Sequence, residues 1–205
     1  MSDKVVPVPE HVEPVVFTRE QLDWLPWLEP MAEKDLTARH MSALVDAARA
    51  KSPYFRLLVR DPEVLEARTR TDKDIFYNPD AGLPRAEREL AAAATSRFNG
   101  CIYCASVHAR FAATYSKRAE DVDRLLADGV GADLDARWKA IVAASVALTS
   151  TPIAFGPDHV DALRRVGLDD ASIVDVINAA SFFNWANRLM LSLGEPAASG
   201  AATAR

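Results

Sequence analysis

The chain has 205 residues, 49% of them hydrophobic and 26% charged, with a formal net charge of −5, which is enough for one sizeable core. The acidic balance argues against nucleic acid as the main partner, because phosphate binding rests on clustered Lys and Arg. No apolar run approaches the roughly 20 residues of a membrane span, and MSDKVVPVPEHVEPVVF lacks the basic-then-apolar order of a secretory signal, so a reducing cytoplasm is the expected compartment.

Five prolines stand among the first thirty residues, at positions 7, 9, 14, 26 and 30. Each fixes its own φ and lacks a backbone donor, so residues 1–17 read as an extended Pro-rich arm. TREQLDWLPWLEP reads as a short helix capped by Thr18 and stopped by Pro26, with Trp24, Leu25, Trp27 and Leu28 pinning the arm to the body. KDLTARHMSALVDAARAKS repeats its apolar residues at three and four, through Leu36, Met41, Leu44 and Val45, and predicts a helix. SPYFRLLVRDPEVLEARTR predicts two short helices split at Asp61-Pro62, and TDKDIFYNPDAGLP a loop.

A long helix is predicted from Pro84 to the stop at Asn99-Gly100. The next carries both cysteines, with Cys101 in its first turn, and runs to Lys117. Helices over 118–128 and 134–150 flank the DGVGAD turn, and GPDHVDALRRVG and DDASIVDVINAASFFNWANRLMLSL complete the body. No convincing strand is present, so the fold class is all-α: one helical domain over 18–195, followed by a disordered tail over 196–205. LPRAERELAAAATSRFNG and LDARWKAIVAASVALTST echo each other faintly, which would fit an internal duplication of helical pairs.

The chain has two cysteines, and both lie in NGCIYCASVH. At a helix start, Cys101, Cys104 and His108 share one face. Free amide N–H groups and the positive dipole end there favour thiolate, and an imidazole nearby can take or return a proton. Glu89, on the preceding helix, shares a stripe with the small Ala92, Ala93 and Ser96. That stripe allows close packing and brings its carboxylate towards His108; the alternative is a solvated Glu89 paired with Arg85. For the cysteines, a zinc site with His108 and an inert buried pair are the competing explanations. His11, His40 and His159 stand alone. Phe182, Phe183 and Trp185 are candidates for an apolar substrate wall or for plain core. Arg188 is a candidate for a buried carboxylate, a substrate anion or a subunit-interface ion pair.

ELAAAATSRFNGCIYCASVH resembles the active-site motif of AhpD-type alkylhydroperoxidases, in the carboxymuconolactone decarboxylase superfamily. Glu89 stands twelve positions before Cys101, Cys104 three after it, and His108 four further on, each where the motif has its counterpart. The block over 84–117 carries the specific likeness, and FFNWANRLMLSLGEP is similar to the last helix of the longer, peroxidase-related branch. The resemblance implies an AhpD-like helical bundle, a homo-oligomer (dimer, trimer or hexamer), and reduction of organic hydroperoxides through a thiol/disulfide cycle. In that cycle Cys104 is peroxidatic, Cys101 resolving, and His108 and Glu89 a proton relay, with no bound cofactor or metal and an external dithiol reductant. The roles of the two cysteines stay exchangeable, since in thioredoxin-like CxxC helices the first attacks. A general dithiol–disulfide oxidoreductase and a non-catalytic assembly protein are the other readings. One departure stands out: Tyr103 occupies the place where AhpD itself has a histidine, and a phenol with a pKa of about 10 carries no protons near neutrality.

Overall fold

Pro62 opens the first long helix at a position where its missing N–H costs nothing, and the Asp61 side chain accepts from the Val64 amide at 3.1 Å. In the computed structural model, which describes residues 13–200, this helix follows β1 (Leu22–Pro26), α1 (Ala38–Ala43) and α2 (Pro53–Leu58), and is α3 (Pro62–Tyr77). Then come α4 (Arg85–Phe98), α5 (Ile102–Ser116), α6 (Ala119–Asp128), α7 (Ala136–Thr149), α8 (Pro157–Arg165), α9 (Asp170–Leu193) and β2 (Gly194–Ala198). The class is all-α with one small antiparallel sheet, β1 on β2.

Helix α4 is the centre of the bundle and packs on α5, α7 and α9. Ala91, Ala92 and Ala93 are fully buried on it, and their small size lets three neighbours approach one helix. Charged residues are rarely buried unless paired, and α4 buries three in succession. Glu87 accepts two bonds from Arg137, at 2.6 and 2.7 Å. Arg88 donates to the carbonyls of Ile75 and Asn78, holding the end of α3. Glu89 faces the site described below. The two Ala-rich helices that echo each other in sequence, α4 and α7, pack against one another.

Several expectations are corrected. TREQLDWLPWLEP forms a strand, with no helix capped by Thr18: Leu22 pairs with Ala198 and Pro26 with Gly194, and the Thr18 hydroxyl accepts from the Glu20 amide in a local turn. Proline is tolerated because both strands are edges. Residues 196–198, read as the start of a disordered tail, belong to β2. A Cβ at Gly194 would lie 2.3 Å from the Leu25 carbonyl oxygen and 2.4 Å from the Trp24 ring, so only glycine allows this crossing. Trp24 and Leu25 are buried there, while Leu28 is exposed.

The helix expected from KDLTARHMSALVDAARAKS is broken into α1 and two 3₁₀ turns, Glu33–Asp35 and Ala47–Lys51, the chain reversing where Val45 takes φ +63°. The predicted loop from Thr71 is helical as far as Tyr77, because Phe76 keeps the apolar spacing of α3 and is buried. Residues 1–12 of the predicted arm, His11 among them, and residues 201–205 of the predicted tail lie outside the described residues. No helix among the described residues is long and apolar enough to cross a membrane.

Candidate active site

The turn from α4 into α5 sets the position of the first sulfur. Gly100, at φ +78°, takes the left-handed conformation that ends helices, and the Cys101 amide donates back to Ser96 at 2.9 Å. The Cys101 carbonyl then accepts the Ala105 amide, so this one residue closes α4 and serves as the N-cap of α5. It sits one position earlier than the first helical turn predicted for it. Cys104 follows at the third helical position and His108 one turn on, all three buried.

Glu89 is 1% exposed, which excludes the solvated alternative. One carboxylate oxygen lies 2.6 Å from His108 Nδ1, and the other accepts from Arg85 Nε at 3.1 Å. The Arg85 guanidinium is in turn held over the rings of Tyr77 and Tyr115, at 4.1 and 4.2 Å. With Nδ1–H donating to the carboxylate, the imidazole keeps Nε2 for accepting or returning a proton. The Phe183 ring, 3.9 Å away between centroids, fixes the plane of the imidazole.

Cys104, His108 and Glu89 line one cavity of about 190 Å³, which Cys101 does not reach. Tyr54, Phe55, Arg68, Phe76 and Phe183 form much of its remaining wall. Both cysteines are free thiols, and they titrate as a pair. Hydrogen bonding from the Cys104 thiol, more than any other cause, pulls the Cys101 thiol below its ordinary range. Cys104, as the donor, is held well above that range, with burial and the neighbouring charge adding to the effect. Asn187 favours thiolate at both sulfurs. It is fully buried, donates to Ser96 Oγ at 3.0 Å and accepts from Asn99 at 3.1 Å. The pair therefore loses one proton readily and the second with difficulty. A thiolate-absorbance titration should resolve two steps, one below and one well above the ordinary cysteine value, with Asn187→Ala moving the first upward.

The structure thus brings together all four residues picked from the sequence, Glu89, Cys101, Cys104 and His108. Among the described residues no group of three or more His, Cys, Asp and Glu side chains is placed to hold a metal ion. His40 and His159 instead accept backbone amides at the starts of α1 and α8. Tyr103 lines the cavity, and burial pushes its phenol further above neutrality. Of the three aromatics on α9, Phe183 lines the cavity, Phe182 packs behind it, and Trp185 is exposed. Arg188 is also exposed and bonds to Asn184 of its own helix, with no carboxylate partner among the described residues.

Sequence reading missed Asn187, Arg68 and Tyr54. Asn187 had a usable signal, a polar residue on the apolar face of α9 beside Phe183, Ala186 and Met190. Arg68 sits in EARTRTDKD, which looks like any solvated helix face.

Fold and site together define an all-helical protein with a CxxC thiol pair and a buried carboxylate–histidine couple, of the AhpD kind. Residues 62–147 match the carboxymuconolactone decarboxylase family. An alkylhydroperoxidase AhpD core, peroxidase-related protein from Ralstonia eutropha JMP134 superposes with a TM-score of 0.68 at 22% identity, over 80% of this chain and 87% of that one. A peroxidase-related protein from Silicibacter sp. TM1040 gives 0.61 at 26% identity, over 69% and 74%. The debrominase Bmp8 in its apo form shares the fold, with a TM-score of 0.63 at 16% identity over 86% and 94%; another structure of that protein holds 2,3,4-tribromopyrrole. No curated protein matches the chain significantly by sequence.

Proposed function

We propose that the protein is a thiol-dependent peroxidase that reduces organic hydroperoxides. The observation that carries this reading is the Glu89–His108 couple, 2.6 Å apart, on the wall of the cavity that Cys104 also lines. Cys104, on losing its proton to His108, attacks the outer oxygen of ROOH. The O–O bond breaks, Cys104 becomes a sulfenic acid, and the alkoxide leaves as ROH with the proton returned through His108. The Cys101 thiolate then displaces hydroxide from that sulfur, forming the disulfide and, with a proton, water. An external dithiol returns both cysteines to thiols by exchange. The mutual influence of the two thiols supports the second step, since Cys104 is the chief cause of the lowered pKa of Cys101.

The test is a count of free thiols under denaturing conditions, before and after a stoichiometric amount of cumene hydroperoxide. Loss of both thiols is the expected result; an unchanged count overturns the reading. Loss with a small-molecule disulfide but not with hydroperoxide would favour a general dithiol oxidoreductase. Loss with only 2,3,4-tribromopyrrole would favour reductive dehalogenation, the chemistry named for one structural neighbour.

A further inference from the structure

The cavity holds polar groups whose hydrogen-bonding capacity the thiol chemistry leaves free, although the charge on Arg68 also eases ionisation of Cys104. Arg68, on α3, is 9% exposed, and its Nε and Nη1 have no hydrogen-bond partner. Its guanidinium is clamped between the rings of Phe55 and Phe182, at 5.5 and 5.1 Å from their centroids. The hydroxyl of Tyr54, buried on α2, is also without a partner. Both side chains line the same cavity as Cys104. Buried donors left unsatisfied are costly; Arg68 Nε and the Tyr54 hydroxyl have no partner and Arg68 Nη1 has only a long ion pair with Asp72, at 3.4 Å, so the site is built for something that accepts.

Charge narrows the choice of acceptor. Asp72 is the carboxylate nearest Arg68, 3.4 Å from Nη1, and it is shared with Arg49 at 3.7 Å. Two guanidinium groups on one carboxylate leave one positive charge in excess of the carboxylates there, which the thiolate of the cysteine pair shares only through Cys104. Glu89, which also lines the cavity, is occupied by Arg85 and His108. Water or an amide could satisfy the donors but not the charge, whereas a carboxylate does both and fits a guanidinium edge. Burial keeps the Tyr54 phenol protonated far above neutrality, and so a donor.

We infer that Arg68 and Tyr54 form a carboxylate-binding end of the cavity, so that the preferred substrate is a small organic acid whose apolar body lies against Phe76 and Phe183 and whose reactive group meets Cys104. The substrate assignment rests on the peroxidase reading; the carboxylate site does not. The cavity of about 190 Å³ sets the size, since an apolar cavity of roughly 150 Å³ takes up benzene. One ring or a short chain with a single carboxylate fits this end.

The test is calorimetric titration of the reduced wild-type protein with benzoate and with benzamide, which have similar shapes and differ in charge. Benzoate is expected to bind at least tenfold more tightly. Arg68→Gln is expected to erase that preference, Arg68→Lys to keep part of it, and Tyr54→Phe to shrink it severalfold. Equal affinities in the wild type, no saturable benzoate binding, or a full preference in Tyr54→Phe and in folded Arg68→Gln would overturn the inference. Binding needs no turnover, so a peroxidase test that fails leaves this result standing. Turnover of a neutral hydroperoxide without benzoate binding would remove the carboxylate site alone.

Discussion

Cys104→Ser is expected to abolish hydroperoxide consumption, whereas Cys101→Ser should complete one attack and stop at the sulfenic acid. The asymmetry follows from the geometry and from how the two thiols act on each other. Cys104 lines the cavity and Cys101 does not. The chief reasons that Cys104 resists ionisation are its hydrogen bond to Cys101, its burial and the charge on that neighbour. Cys101→Ser removes that charge and leaves only a neutral hydroxyl as acceptor, so the remaining thiol should ionise more easily and its first attack should be at least as fast as in the wild type. In Cys104→Ser the serine hydroxyl can still donate to the Cys101 thiolate, but the one remaining sulfur is buried away from the cavity.

Stopped-flow mixing with cumene hydroperoxide, followed by dimedone trapping, separates the two variants. A dimedone adduct on Cys104 in the Cys101→Ser protein, with none in Cys104→Ser, is the expected pattern. The mirror pattern would exchange the roles of the two sulfurs.

The four chemical residues were legible because their spacing is a helical statement. Three positions separate the cysteines and four separate Cys104 from His108, and those intervals put them on one face. The stop signal Asn99-Gly100 placed that face at a helix start. Glu89 was readable through its small neighbours, which implied close packing between α4 and α5.

What escaped was set by contacts distant in sequence. Leu22–Pro26 is a strand only because Gly194–Ala198 returns to pair with it, and nothing local in DWLPW announces a partner some 170 positions away. The apparent loop at TDKDIFY is helical because Phe76 is buried against its neighbours in the core. Arg68 is one charge among many on α3 and Tyr54 one polar residue on the short α2, and only the tertiary fold places them in the cavity with Cys104. Residue spacing therefore conveyed the reactive groups, while the groups that would select a substrate emerged from packing.

Glu89→Gln should lower the rate of thiol oxidation by hydroperoxide by about 10²-fold, the lower end of what a positioned proton-transfer group supplies. In the wild type the carboxylate sits 2.6 Å from His108 Nδ1, so the imidazolium that forms when Cys104 gives up its proton is neutralised on the spot. An amide of the same volume can still accept the Nδ1–H bond, but it brings no negative charge to offset that proton. Arg85 would remain held by the rings of Tyr77, Phe111 and Tyr115, so it stays close and adds its own repulsion. Glu89→Ala makes a useful contrast. It leaves a void and strips both partners at once, and removing one member of a buried ion pair costs about 3–5 kcal/mol of stability. Urea unfolding should therefore show a large loss for Ala and a smaller one for Gln, while oxidation is slowed in both. Benzoate affinity should change little in the Gln variant, because Arg68 and Tyr54 are left intact. A Gln protein that oxidises within a few fold of the wild-type rate would mean that Glu89 only holds α4 and α5 together, and that the proton on Cys104 leaves by another route.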